Sequence, residues 1–488
     1  MDGRTVVVDA MRADPDRPRY ALELLRDTRL HSGTLYPTLV RLERSGLVTS
    51  RREDSGRLVY LLTPDGVTSL DRDVPSQPRV TAGVRRSGGA RVAAATARRG
   101  GALLPAGSVR RAVAMWLPAA AVGAVEAYAA LSRPAGGRLT DLGVYLGATR
   151  GLRGGASLYD FVSGHAPFTY PPFAGLLFAP LTYLATLPVQ VAWTLGTLLA
   201  VVVLSVLVTR AAGGPFRGAA PVVAAVLVAS APVSSDIKYG QVSIALATLV
   251  VVDALALRRT RAHGLLTGLA AAVKLTPLIF IPMLWLAGRR RAAALAAGTF
   301  AACGVLGWTV LPGDSWRFWA TEMWDVHRLG FITSVGNQSL DGALMRAGIA
   351  EPGRSVPVVA VVAVVAVLAL RRAAYLARAG DLLSALTVVG AASIVVSPVS
   401  WTHHQVWLVF AALLPVAGSA RARVAWIAVV LGVTVLPVTA LGPPVWSNAR
   451  LILAVAVACV FPLRTGTSDP RGHPAEVRAS AMRMSSTP

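Results

Sequence analysis

The chain has 488 residues, 54% of them hydrophobic and only 15% charged, a balance that excludes a soluble globular protein of ordinary composition. The formal charge is +23. In a chain with many apolar runs close to the roughly 20 residues a bilayer crossing needs, that excess indicates cytoplasmic loops and not a nucleic acid partner.

Residues 1–73 read as a small soluble module. Leu35, Leu39 and Leu42 recur at helical spacing, as a buried helix face requires. Residues 74–111 form a basic linker rich in Pro, Gly, Ser and Ala that cannot bury a core and is predicted to be disordered. The first apolar run, 112–130, follows no cleavable signal and is expected to act as an uncleaved anchor. Residues 112–463 read as a mostly α membrane domain with about ten to twelve spans. Residues 464–488 read as a disordered cytoplasmic tail. Two cysteines, Cys303 and Cys459, lie in apolar stretches and imply no disulfide framework.

Arginine placement orients the spans, because cytoplasmic loops collect basic residues. Arg110-Arg111 precede the first run, and further clusters fall at Arg258-Arg259-Arg261, Arg289-Arg290-Arg291 and Arg371-Arg372-Arg378. With all of these inside, both termini are cytoplasmic. The stretch 264–287, basic at both ends, then enters and returns with Lys274-Leu275-Thr276-Pro277 at its turn. The polar segments 132–170, 234–241, 313–355, 400–404 and 442–448 fall on the external side. A one-sided set fits an enzyme of the external face. A transporter would place polar groups near the midplane between repeats, and no repeat is visible.

The first external loop carries Asp141, Tyr145, Tyr159 and Tyr170. A carboxylate close to the membrane surface can act as a general base or hold a hydroxyl-rich substrate. The next segment holds Asp236, Lys238 and Gln241; Asp236 and Lys238 also suit an ordinary surface ion pair. Lys274 and Lys238 are the only lysines in the chain. A cation at membrane depth is costly and faces a polar cavity or snorkels to the interface. Pro277 breaks the helix beside it. Downstream, Trp316, Trp319 and Trp324 suit interface anchoring, the amides of Asn337 and Gln338 suit sugar hydroxyls, and Arg346 suits a phosphate. Trp401, His403 and His404 close the set; imidazoles can move a proton near neutral pH or donate to a phosphate. A zinc site needs more ligands than this spacing supplies, so no metal site and no cofactor is expected.

In order and spacing these motifs resemble glycosyltransferase family 87. They are Asp141 with Tyr145 and Leu158-Tyr159; Tyr170-Pro171-Pro172; Gly240-Gln241; Gly268 with Lys274-Thr276-Pro277; Gly336-Asn337-Gln338-Ser339 with Arg346; and Ser397-Pro398 with Trp401, His403 and His404. The resemblance implies an integral-membrane GT-C bundle of the plasma membrane. It would move a sugar, mannose by family, from a polyprenyl-phosphate donor to an envelope glycolipid or glycan with inversion at the external face. It further implies Asp141, His403 or His404 as proton acceptor and Lys274 and Arg346 as donor-phosphate ligands. Substrate contacts would come from Tyr145, Tyr159, Tyr170, Lys238, Gln241, Asn337, Gln338 and Trp401. Ala21 to Leu25, Ser32 to Leu39 and Arg57 to Gly66 resemble the winged helix of PadR-like regulators. That resemblance implies a helix over Ser32 to Arg44, two strands at Leu47–Ser50 and Leu58–Leu62 around Glu53-Asp54-Ser55-Gly56, and phosphate contacts from Arg51, Arg52 and Arg57. It also implies weak DNA binding through Ser32, Thr34, Tyr36, Arg51, Arg52 and Arg57. The family's long dimerisation helix is missing. A membrane-tethered regulator is the competing reading.

Overall fold

The structure is a computed structural model. It describes residues 3–12, 14, 17–28, 35, 38–39, 41–43, 45–52, 58–64, 106–163, 166–350, 353–442 and 444–463. Ser32, Thr34, Tyr36 and Arg57, the linker up to residue 105 and the tail 464–488 lie outside the described residues. The chain divides into two compact units, Met1–Ala102 and Leu103–Pro488.

In the first unit, helices Gly3–Arg12 and Ala21–Thr28 pack with a three-stranded antiparallel sheet. Strand Leu58–Leu62 lies at its centre, between Arg19–Tyr20 and Val48–Arg52, with Ser50 opposite Tyr60. Leu35, Leu39 and Leu42 are buried together with Val7, Met11 and Leu24, as their spacing requires. The first hairpin strand runs two residues past its expected end, to Arg52, and Arg51 on it is exposed.

The second unit is a helical bundle. Val113–Leu131, Thr186–Ala212, Arg290–Val310 and Ser355–Arg378 are each long and apolar enough to cross a membrane. Ala220–Ala229 and Ala231–Tyr239 are together long and apolar enough for a fifth crossing, but the pair is bent by 63° near Pro232, which supplies no backbone donor, a shape of either a broken span or a re-entrant loop. The remaining apolar runs, including Thr276–Leu286 and Leu382–Val396, form helices of 10 to 17 residues. The sequence predicts about ten to twelve spans; among the described residues four helices, or five with the bent pair, are long and apolar enough to cross, and the other apolar runs form shorter helices. Leu382–Val396 is buried on every side from Leu382 to Val395, which marks it as the central helix of the bundle. Gly390 on it makes room for Trp407, since a Cβ there would lie 2.2 Å from the indole.

The stretch 264–287 enters and returns. Leu265–Val273 ends at Lys274, whose backbone is extended (φ −149°, ψ 134°), and a tight turn at Thr276–Ile279 leads into Phe280–Leu286. Gly264 packs on Ala292 and Gly268 on Ala296, so the first arm runs beside Arg290–Val310 in the same direction. Three residues then join Leu286 to Arg290. Both ends of the stretch therefore lie at the start of that helix, and Lys274 stands at the far tip. The fully buried Asp253 fixes the entry. Its two carboxylate oxygens accept the Gly264 N–H at 2.9 Å each, and Oδ2 accepts the Thr267 hydroxyl at 2.6 Å.

Gly264 has φ +106°, and a Cβ there would stand 2.1 Å from the Ala292 carbonyl oxygen. Gly264→Ala should therefore lower the recovery and thermal midpoint of detergent-solubilised protein, at a cost of about 1–3 kcal/mol. Gly298→Ala, in the same bundle but with open space around it, should leave both unchanged or slightly higher. Size-exclusion thermostability profiles of the two variants check this.

Candidate active site

Five segments far apart in sequence meet at the tip that carries Lys274. Thr140–Gly151 brings Asp141 and Tyr145, one helical turn apart and so on one face. Tyr170 comes just before the helix that Pro171-Pro172 open. Gln241 follows Gly240, which ends Ala231–Tyr239 in the left-handed conformation at φ +68°. A Cβ on Gly240 would lie 2.8 Å from that of Leu142, so glycine is what allows Gln241 to approach Asp141. His404 ends the short turn Thr402–His404.

These side chains form one hydrogen-bonded cluster. Gln241 Nε2 donates to Asp141 Oδ2, and Gln241 Oε1 lies 2.9 Å from both the Tyr145 and the Tyr170 hydroxyl. The two hydroxyls are 2.9 Å apart. Lys274 Nζ donates to the Tyr170 hydroxyl at 3.3 Å and lies 2.7 Å from His404 Nε2. Asp141, Lys274 and His404 are partly accessible, whereas Tyr145, Tyr170 and Gln241 are buried. Exposure thus separates the groups a substrate can reach from those that hold them.

Burial pushes the Asp141 carboxyl above the usual carboxylate range, opposed by hydrogen bonds from Gln241 and Thr140 and by the Lys274 charge. In the loop, burial and then Lys274 hold His404 well below the usual imidazole range, so its ring is neutral. His403 packs edge-on against it, with ring centroids 4.6 Å apart. The Trp401 backbone N–H approaches His404 Nδ1 at 3.2 Å and the Lys274 ammonium approaches Nε2 at 2.7 Å, so the ring is held from both sides. A cavity opens beside Lys274 and His404. Ser243 and Ser393 add to its polar end, and Leu246, Ala247, Phe280 and Trp407 line its apolar walls. Among the buried atoms with no partner, Asp236 Oδ1, Ser243 Oγ, Ser400 Oγ, His403 Nε2 and Gln405 Oε1 all belong to the segments around this cluster.

Several residues expected at the site serve elsewhere. The Asn337 amide is spent on backbone: Oδ1 accepts the Ser400 N–H at 2.9 Å and the Ser339 N–H at 3.1 Å, and Nδ2 donates to the Ile332 carbonyl at 2.9 Å. Gln338 Nε2 donates to the Val335 and Ser447 carbonyls at 2.7 Å each, and Oε1 accepts the Leu451 N–H at 3.0 Å. Both side chains are fully buried, so neither amide is open to a sugar in this structure. Arg346 donates to the Ser334 and Asn337 carbonyls at 2.9 and 2.8 Å and to Asn448. These bonds tie the loop down. Together these residues clamp the segment 398–400 that leads into Trp401 and the histidines. Lys238 lies over its neighbour Tyr239, 4.8 Å from the ring centroid, while the Asp236 carboxylate turns to the Ile244 N–H. Tyr159 supports the cluster from behind, donating to the Tyr170 carbonyl at 2.8 Å. Trp401 reaches the site through its backbone N–H. Trp316 and Trp324 are exposed, as interface anchors would be.

Asp236 was not singled out as a site residue. It is fully buried and accepts the Ile244 N–H at 3.1 Å. Its signal was the following Gly240, whose left-handed cap turns the chain inward.

Fold and site define a polytopic membrane protein whose cation, carboxylate and imidazoles converge beside a cavity that is polar at one end and apolar along its walls. Residues 168–398 match glycosyltransferase family 87, and residues 17–72 match the transcriptional regulator PadR-like family. A polyprenol-phosphate-mannose-dependent alpha-(1-2)-phosphatidylinositol mannoside mannosyltransferase of Mycobacterium tuberculosis is 34% identical over 283 residues, covering 54% of this chain and 66% of its own. A pentamannoside mannosyltransferase of Mycolicibacterium smegmatis, also polyprenol-phosphate-mannose-dependent, is 34% identical, covering 57% of this chain and 69% of its own. A second Mycolicibacterium smegmatis protein, a phosphatidylinositol mannoside mannosyltransferase, is 32% identical over 64% of this chain and 76% of its own. No solved structure matches this chain significantly. The chain belongs to glycosyltransferase family 87.

If the Asn337 amide is a clamp, Asn337→Leu strands the Ser400 and Ser339 N–H groups and the Ile332 carbonyl. We expect a loss of about 2–4 kcal/mol of stability together with loss of activity. A thermal melt of the solubilised variant checks this; an unchanged midpoint would instead make Asn337 available to substrate.

Proposed function

We propose that this protein transfers mannose from polyprenyl-phosphate-mannose to a phosphatidylinositol-mannoside-type acceptor at the external membrane face, with inversion. One observation carries the reading. The Lys274 ammonium, held 2.7 Å from His404 Nε2 and 3.3 Å from the Tyr170 hydroxyl, is a partly accessible cation at the edge of the cavity, where it can meet an anionic oxygen. The adjoining cavity has apolar walls at Leu246, Phe280 and Trp407, which suits a phosphate with a hydrocarbon tail. The relatives' names supply the sugar and the lipid carrier.

In this mechanism the acceptor hydroxyl oxygen attacks the anomeric carbon from the face opposite the phosphate. The bond from that carbon to the phosphate oxygen breaks, and polyprenyl phosphate leaves with one more negative charge. Lys274 and His404 stabilise that charge. Asp141 takes the hydroxyl proton, and its raised affinity for protons suits the task. His404, neutral and committed to Lys274 and Trp401, is assigned to the phosphate and not to the proton. His403 packs behind it. No cofactor is assigned; the lipid-linked sugar is the co-substrate. We assign the PadR-like unit no step. Its exposed Arg51 supports weak, phosphate-led DNA binding with a steep salt dependence.

Membranes containing the protein, supplied with radiolabelled polyprenyl-phosphate-mannose and phosphatidylinositol mannosides, test the proposal. We expect an α-mannosylated lipid. Asp141→Asn should slow transfer by about 10²- to 10⁴-fold with donor binding retained. Lys274→Met should weaken donor binding and slow transfer by about 10²-fold or more. Wild-type turnover by Asp141→Asn would remove it as the base, and unchanged donor affinity in Lys274→Met would remove the phosphate site. Because burial raises the Asp141 carboxyl, the rate should climb with pH through a midpoint above the ~3.9 of an unperturbed aspartate.

A further inference from the structure

We infer that Gln241 is a positioning residue that sets the basicity of Asp141 and links it to Lys274, the cation of the donor site. The inference rests on the assignment of Asp141 as proton acceptor. The resemblance had placed Gln241, Tyr145 and Tyr170 among the substrate contacts, but their hydrogen bonds point to a different role. Gln241 is 8% exposed, Tyr170 6% and Tyr145 4%. Both ends of the Gln241 amide are already engaged, Nε2 with Asp141 and Oε1 with the two tyrosine hydroxyls. The amide cannot turn over, because its oxygen would then face the Asp141 carboxylate. Its backbone is pinned as well: Gln241 N–H donates to the Asp236 carbonyl at 3.0 Å, and Trp193 Nε1 donates to the Gln241 carbonyl at 3.3 Å.

Counting protons gives the cluster a direction. Tyr145 and Tyr170 carry two hydroxyl protons, while the two hydroxyls and Gln241 Oε1 make three oxygen–oxygen contacts of 2.9 Å. One of the three contacts therefore carries no proton; Lys274, which has only N–H groups to offer, donates to Tyr170 at 3.3 Å and leaves the tyrosine's own proton to point on to Gln241 Oε1. The chain therefore runs Lys274 to Tyr170 to Gln241 to Asp141, each donor strengthening the next. Its outcome is an N–H held on the Asp141 carboxylate, which favours the ionised form and opposes the burial around it. A donor phosphate that draws Lys274 toward itself relaxes the chain. Asp141 then becomes the stronger base once the donor is bound. The charged and titratable groups around Asp141 are Asp236 on Ala231–Tyr239, Lys274 at the tip with His404 bonded to it and His403 against His404, and the two tyrosines.

The test is the pH profile of transfer by the full-length protein. Gln241→Met keeps the length of the side chain and removes the N–H. The acidic limb of kcat should move up by about one to two pH units, with the alkaline plateau and donor KM within about threefold of wild type. Gln241→Glu sets a second carboxylate against Asp141 and should move the limb at least as far. If neither folds, Tyr170→Phe carries the test, with a smaller upward shift expected. A limb that stays in place, or a uniform loss of rate at every pH, overturns the inference. Asp141→Asn measured alongside separates the two failures. Full turnover there removes the base assignment itself, whereas a dead Asp141→Asn with an unmoved limb in the Gln241 variants removes only the role of Gln241.

Discussion

An ammonium group inside an apolar helical bundle must be met by polar groups, and Lys274 imposes that requirement on this fold. Its backbone is extended where a helix would otherwise continue, which places the side chain at the tip of a stretch that enters and returns. The partners that satisfy it come from other segments, Tyr170 from before a proline-opened helix and His404 from a turn beyond the central helix. Gly264 and Gly268 let the first arm lie directly on Arg290–Val310, and Asp253 locks its start. The position of the cation is thus set by backbone packing some distance away from it.

Around that point the structure separates tasks by exposure. The residues a substrate can reach are few and each has an evident chemistry: a carboxylate, an ammonium and an imidazole. Behind them stands a larger buried framework held by hydrogen bonds, including Gln241, the two tyrosines and the Asn337–Gln338–Arg346 clamp. Second-layer groups of this kind fix the orientation of the groups in front. Here the Trp401 N–H does so for His404, and Gln241 does so for Asp141.

The parts of this site legible in the sequence were those whose cost is local. Lys274 stands out because a cation within an apolar run is expensive wherever the chain goes, and Pro277 marks the break beside it. Asp141 and the paired histidines stand out for the same reason. The hydrogen bonds of Asn337, Gln338 and Arg346 are not legible in the sequence because they run to other segments, mostly to backbone groups; a free amide and a committed one look alike in a sequence. Lys238 and Asp236 were inverted for a related reason. Two residues apart on one helix, the acid points into the bundle and the lysine folds over its neighbouring tyrosine. Hydropathy located the apolar runs well, but the bend at Pro232 and the short central helix depend on tertiary packing that spacing does not carry.

The central claim is that Lys274 and His404 act as one phosphate-binding unit. A double-mutant cycle on the transfer rate tests it most directly, using Lys274→Met, His404→Asn and the double variant in single-turnover assays with radiolabelled donor. Residues that act as a unit are strongly non-additive. The account predicts that the double variant is no slower than the slower single one. Losses that multiply would show that the two side chains act independently, and would contradict it.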